Sequence, residues 1–148
     1  MRYRGFSLIE LLIVIAILAI GLSAIAILFT GGVVSNIKAR RLNTASERAQ
    51  QEMEKLRSGG FSSAIVDPEV FPASRGYTIV EQNPDRTGRI AFAVPELPGS
   101  QGNIEIRHYV GPEGLYPNLK GVTISVSWQG GSTTPGNVAF QSMLANHP

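Results

Sequence analysis

Hydrophobic positions along the chain fall into three successive rhythms. From Phe6 to Phe29 apolar residues run almost unbroken, interrupted only by Ser7, Glu10, Gly21 and Ser23. A run of this length, at about 1.5 Å per residue, spans a hydrocarbon layer of roughly 30 Å as one helix. After Gly31-Gly32 the rhythm becomes helical and one-sided. Ile37, Leu42, Ala45, Ala49, Met53 and Leu56 recur at three- to five-residue steps. Lys38, Arg40, Arg41, Glu47, Arg48, Glu52 and Lys55 fill the intervals. This spacing predicts an amphipathic helix with a narrow apolar stripe, stopped at Ser58-Gly59-Gly60. The small Ala45 and Ala49 permit close approach to a sheet.

Beyond Gly60 the period drops to two. Tyr77–Gln82 and Arg89–Val94 read as strands joined by the turn cluster Asn83-Pro84-Asp85-Arg86-Thr87-Gly88. In the next strand, Asn103–Val110, Ile104, Ile106 and Val110 alternate with Glu105 and Arg107. In Val122–Gln129 the residues Val122, Ile124, Val126 and Trp128 oppose Thr123, Ser125 and Ser127. A loop through Gly130-Gly131-Ser132 and Pro135-Gly136 leads into a last strand, Asn137–Leu144. One-sided alternation predicts an antiparallel sheet with one covered face, and the helix stripe needs a surface to cover it. The predicted fold is therefore α+β, a long N-terminal α-helix spine packed on a small antiparallel β-sheet. The spine comprises a membrane half and an amphipathic half. The glycine- and proline-rich segments Pro95–Gly102 and Gly111–Gly121 are expected to be loops that make contacts.

Charge changes the picture in one place. The net charge is +2, yet without Arg2 and Arg4 the remaining basic residues only match the 11 acidic ones. Such balance gives no bulk argument for nucleic-acid binding. Arg2 and Arg4 instead hold the N-terminus on the cytoplasmic side of a membrane. The absence of cysteine excludes thiolate metal sites and cysteine nucleophiles, and leaves packing alone to hold the fold.

Glu10 is the residue that a plain anchor leaves unexplained. A carboxylate in a membrane helix costs about 2.5–3.5 kcal/mol at the bilayer centre and less toward the interface. A signal peptide would have a shorter apolar region, about 7–15 residues, before a small-residue cleavage site. Ser23-Ala24-Ile25-Ala26 mimics such a site, but the apolar run continues past it.

The segment Arg4-Gly5-Phe6-Ser7-Leu8-Ile9-Glu10-Leu11-Leu12-Ile13-Val14 resembles the class III signal of type IV pilins and type II secretion pseudopilins. The resemblance implies cleavage by a prepilin peptidase between Gly5 and Phe6 and N-methylation of the new Phe6 amine. With the helical and period-two patterns above, it divides the chain into a leader at 1–5, a transmembrane and filament-core helix at 6–30, an amphipathic half at 31–58 and a sheet domain at 59–148. Glu10 then becomes the fifth residue of the mature chain. Its carboxylate can meet the Phe6 amine of an axially offset neighbour, since leaving either charge unpaired in low dielectric is costly. An ordinary interfacial glutamate is the alternative.

Gly31 and Gly32 form a candidate hinge or a kink at the membrane exit. Many major pilins carry a proline in the membrane half, whereas this chain has none between Met1 and Asp67. The helix end Glu54-Lys55-Leu56-Arg57-Ser58-Gly59-Gly60-Phe61 and the strand Val122-Thr123-Ile124-Ser125-Val126-Ser127-Trp128 look like those of minor pilins and smaller minor pseudopilins.

Catalytic candidates are sparse. His108 and His147 are the only histidines, and Gly-x-Ser-x-Gly, HExxH and phosphate-loop motifs are absent. Asp67 and Asp85 lie in separate loops without the density of a calcium loop. Phe71, Tyr109 and Tyr116 are candidates for a binding surface, though aromatics in a small sheet domain more often anchor core or loops.

The reading is a structural, non-enzymatic minor pilin with no cofactor. Its implied partners are other pilin or pseudopilin subunits, prepilin peptidase, an inner-membrane assembly platform and membrane lipid. It starts as a single-pass inner-membrane protein with its sheet domain outside, then enters a pilus or periplasmic pseudopilus. A type II secretion pseudopilin, a competence pilin and a membrane-anchored binding domain are the alternatives.

Overall fold

The computed structural model describes residues 7–130 and 133–146. One helix, α1, runs Leu8–Ser63 and is followed by a 3-10 turn at Ala73–Arg75. Five strands come next: β1 (Tyr77–Gln82), β2 (Gly88–Phe92), β3 (Ser100–Gly111), β4 (Gly114–Gly130) and β5 (Thr133–Ala145). They form a single antiparallel meander in the order β1-β2-β3-β4-β5. Contacts divide the chain into two units at Arg40/Arg41.

In the second unit, residues 41–63 of α1 cover one face of the sheet. Ala45, Ala49, Met53 and Leu56 are buried against Ile90, Ile104, Ile106, Val122, Ile124 and Val126. Two aromatic rings close the sheet's own surface. Phe92 lies across Gly102 and Trp128 across Gly136, each glycine being the direct cross-strand partner of its ring. A Cβ at Gly136 would come within 2.1 Å of the indole.

The helix breaks within the expected stop, and one further turn follows it. α1 breaks at Gly60, with φ 68° and ψ −161°, which a residue bearing a Cβ avoids, yet its helical pattern extends to Ser63. The hydroxyl of Ser63 donates to the carbonyls of Leu56 (3.1 Å) and Gly60 (2.9 Å). These bonds occupy carbonyls that the helix terminus leaves open.

Five other expectations need correction. Ile37 and Leu42 are exposed, so the buried stripe starts at Ala45. Val110 is also exposed, because the β3–β4 register shifts between His108 and Tyr109 and ends the inward alternation. The predicted loop Gly111–Gly121 is mostly strand. It turns at Pro112-Glu113, where Tyr109 pairs with Tyr116 and Val110 with Leu115. Pro117 falls in the irregular stretch between Tyr116 and Lys120, where no ladder N–H is required of it. Pro135-Gly136, expected in a loop, belongs to β5. Pro135 is accommodated because β5 is an edge strand. Ser100 to Gly102, expected in a connection, start β3.

Candidate functional site: an uncovered apolar helix and its acid

The first unit contains the N-terminal stretch of α1. Its helical ladder begins at Ser7, whose carbonyl accepts from the N–H groups of Glu10 (3.0 Å) and Leu11 (3.2 Å). Glu10 therefore sits in the first turn, where a negative charge suits the helix dipole. Its carboxylate is exposed and has no ion-pair partner among the described residues. Gly5 and Phe6, the expected cleavage pair, lie outside the described residues.

Around Glu10 the surface is apolar on every side. An 18-residue window of α1 has a mean hydropathy of 3.1, and none of it is buried within the chain. Leu8, Leu28 and Phe29 are each more than 70% exposed. Two hydroxyls bond the helix's own backbone. Ser23 donates to the Ala19 carbonyl at 2.8 Å, and Thr30 to those of Ala26 (2.8 Å) and Ile27 (3.0 Å). A helix bare on all sides, with the Ser23 and Thr30 hydroxyls turned onto its own backbone, suits a hydrocarbon environment everywhere but at Glu10. Gly31 and Gly32 continue the helix, and a Cβ at either would meet nothing within 4 Å. Among the described residues, no packing demands glycine there.

Residues 1–26 match the model of the prokaryotic N-terminal methylation motif. The chain thus carries the class III signal of type IV pilins and pseudopilins, and the motif supports that family and its processing by prepilin peptidase. The same signal implies assembly with other pilins, and with the long apolar helix it indicates membrane anchoring before assembly. No curated protein and no solved structure gives a match to the chain.

A second acid went unrecognised in the sequence. Glu52, read as one of the charged residues between stripe positions, is 1% exposed. Tyr77 donates its hydroxyl to Glu52 Oε2 at 2.6 Å. Arg48 and Lys55 pair with Oε1 at 3.1 and 2.9 Å. Burial first, then the hydrogen bond to the carboxylate, push the Tyr77 phenol well above its usual pKa. The signal was available: Glu52 lies three residues after Ala49 and four before Leu56, on the stripe itself. Cations stand four residues before it and three after it.

The remaining polar candidates serve local structure. In the β1–β2 turn, Asp85 accepts from the Thr87 hydroxyl (2.7 Å) and the Thr87 N–H (3.1 Å). These bonds hold its carboxyl below the ordinary range, helped by His108, whose Nε2 lies 3.5 Å away. Asp67 pairs with Arg86 at 3.7 Å. Lys120 is buried, donates to the Ala64 carbonyl at 2.8 Å and lies over the Phe61 ring. Desolvation lowers its pKa. Of the expected aromatic surface, Phe71 is core, packed edge-on to Tyr77. Tyr109 and Tyr116 pair at 5.8 Å near the β3–β4 turn. His147 lies outside the described residues. Among the described residues no cluster of three metal-ligating side chains occurs.

Proposed function

We propose that this protein is a minor type IV pilin, a structural rather than catalytic subunit that enters an extracytoplasmic filament after its leader is removed. The observation that carries the proposal is Glu10, an exposed carboxylate without an ion-pair partner among the described residues, in the first turn of a helix otherwise apolar all round. Such an acid is costly in lipid unless a cation meets it. Cleavage between Gly5 and Phe6 creates an amine, and a neighbouring subunit offset along the filament axis brings that amine to Glu10. The sheet unit resides outside the membrane, and Gly31-Gly32 lets the helix bend as the subunit leaves the bilayer.

Mass spectrometry of the mature N-terminus tests this directly. N-methyl-phenylalanine at Phe6 is the expected result. An intact Met1, or a cut beyond Ser23, would remove the pilin reading. A second measurement addresses assembly: Glu10→Ala should insert and be cleaved normally but be lost from sheared filaments.

A further inference from the structure

The two edges of the sheet are built differently. β1 is short, carries Glu81 and is irregular between Ile79 and Glu81, features that discourage another strand from pairing with it. The other edge, β5, runs 13 residues, and its ladder with β4 is regular from Gly136 to Ala145. No Asp, Glu, Lys or Arg occurs between Gly121 and Asn146.

The direction of the free groups on β5 follows from its end. The Asn146 N–H bonds the Asn118 carbonyl at 2.9 Å, continuing the register in which Leu144 faces Lys120 and Ser142 faces Val122. Even-numbered residues of β5 therefore turn their backbone groups toward β4. Asn137, Ala139, Gln141 and Met143 turn theirs outward, and among the described residues nothing bonds them. Beside this edge a groove of about 650 Å3 lies under α1, lined by Glu47, Gln51, Glu54, Arg57, Phe140 and Gln141 among others. Arg57 is engaged by the Ser142 hydroxyl at 3.2 Å, while Glu47 and Glu54 have no cation within ion-pair distance among the described residues.

We propose that β5 is a docking edge for an extended segment of a partner protein, which adds as a sixth strand and places a lysine or arginine in the groove beside Glu47 and Glu54. The outward amides and carbonyls supply the ladder, and alternate side chains of the added strand fall under the helix. The acidic groove selects a cation there, and the uncharged edge strand puts nothing in the way.

The test uses the full chain in detergent micelles and a synthetic nine-residue peptide alternating threonine with lysine and valine. A second peptide has glutamate in place of each lysine. Saturating lysine peptide should slow amide exchange at Asn137, Ala139, Gln141 and Met143 by about tenfold or more. Gln141→Pro, which removes one outward N–H, should abolish the protection. Glu47→Lys with Glu54→Lys leaves the backbone untouched and should shift the preference toward the glutamate peptide by about threefold to fivefold. Equal binding of both peptides, or no protection at millimolar peptide, overturns the proposal. So does protection of these amides that grows with protein concentration alone, which would assign the edge to a second copy of the chain.

Discussion

Two acids on one helix illustrate opposite solutions to the same problem. Glu52, in residues 41–63 of α1, is buried and meets Tyr77, Arg48 and Lys55 within its own chain. Glu10, in residues 8–40, sits on a bare apolar surface with no ion-pair partner among the described residues. The first acid belongs to the fold. For the second, the described residues supply neither cation nor cover, and the proposed pairing with a neighbouring subunit would provide the cation.

That contrast can be attacked by substitution, and the largest effect should come from the core beneath Glu52. Ile124 is fully buried, and Ile124→Ala should cost about 3–4 kcal/mol. Urea unfolding in micelles, followed by the single Trp128, reads this. Leader cleavage should be unchanged, since the matched signal ends at residue 26.

Next comes Glu52→Ala, expected to lose about 3 kcal/mol by the same measurement, because it strands a buried hydroxyl and a half-buried guanidinium. A loss below about 1 kcal/mol would show that the network contributes little and would weaken the contrast.

Tyr77→Phe should cost about 1–2 kcal/mol and alter the pH dependence. With its folded pKa raised, Tyr77 binds its proton more tightly in the native state. Its contribution is complete below the ordinary value of 10.0 and is lost as pH climbs from there toward the folded pKa. Stability of the wild type should therefore fall above pH 10.0, and the phenylalanine variant should lose less over that range. Parallel curves would remove the linkage.

The smallest stability effect belongs to Glu10→Ala, within about 0.5 kcal/mol of wild type, alongside its loss from filaments. A large destabilisation by this substitution would mean that Glu10 serves the fold after all.

Much of the fold was legible because hydrophobic periodicity records which side of an element is covered. The inward residues Val122, Ile124 and Val126, and the bounds of β1, follow from alternation alone. Segments governed by cross-strand partners were less legible. Gly111–Gly121 reads as loop by its glycines and prolines, but Leu115 and Tyr116 find Val110 and Tyr109 opposite them and become strand. Glu52 read as exposed because charge is normally solvated; Arg48 and Lys55 on its own helix and the Tyr77 hydroxyl from β1 together make its burial tolerable.

By itself the sequence determined the cleavage and methylation signal, the apolar N-terminal helix and the helix-plus-sheet class. Each of these depends on residues close in the chain, whose order and period are sufficient. Tertiary structure decided the burial of Glu52, the length of the β3–β4 hairpin and the place of β5 at the sheet edge. Those depend on which residues meet across the sheet, and burial and hydrogen-bond partners are properties of that meeting rather than of the local chain.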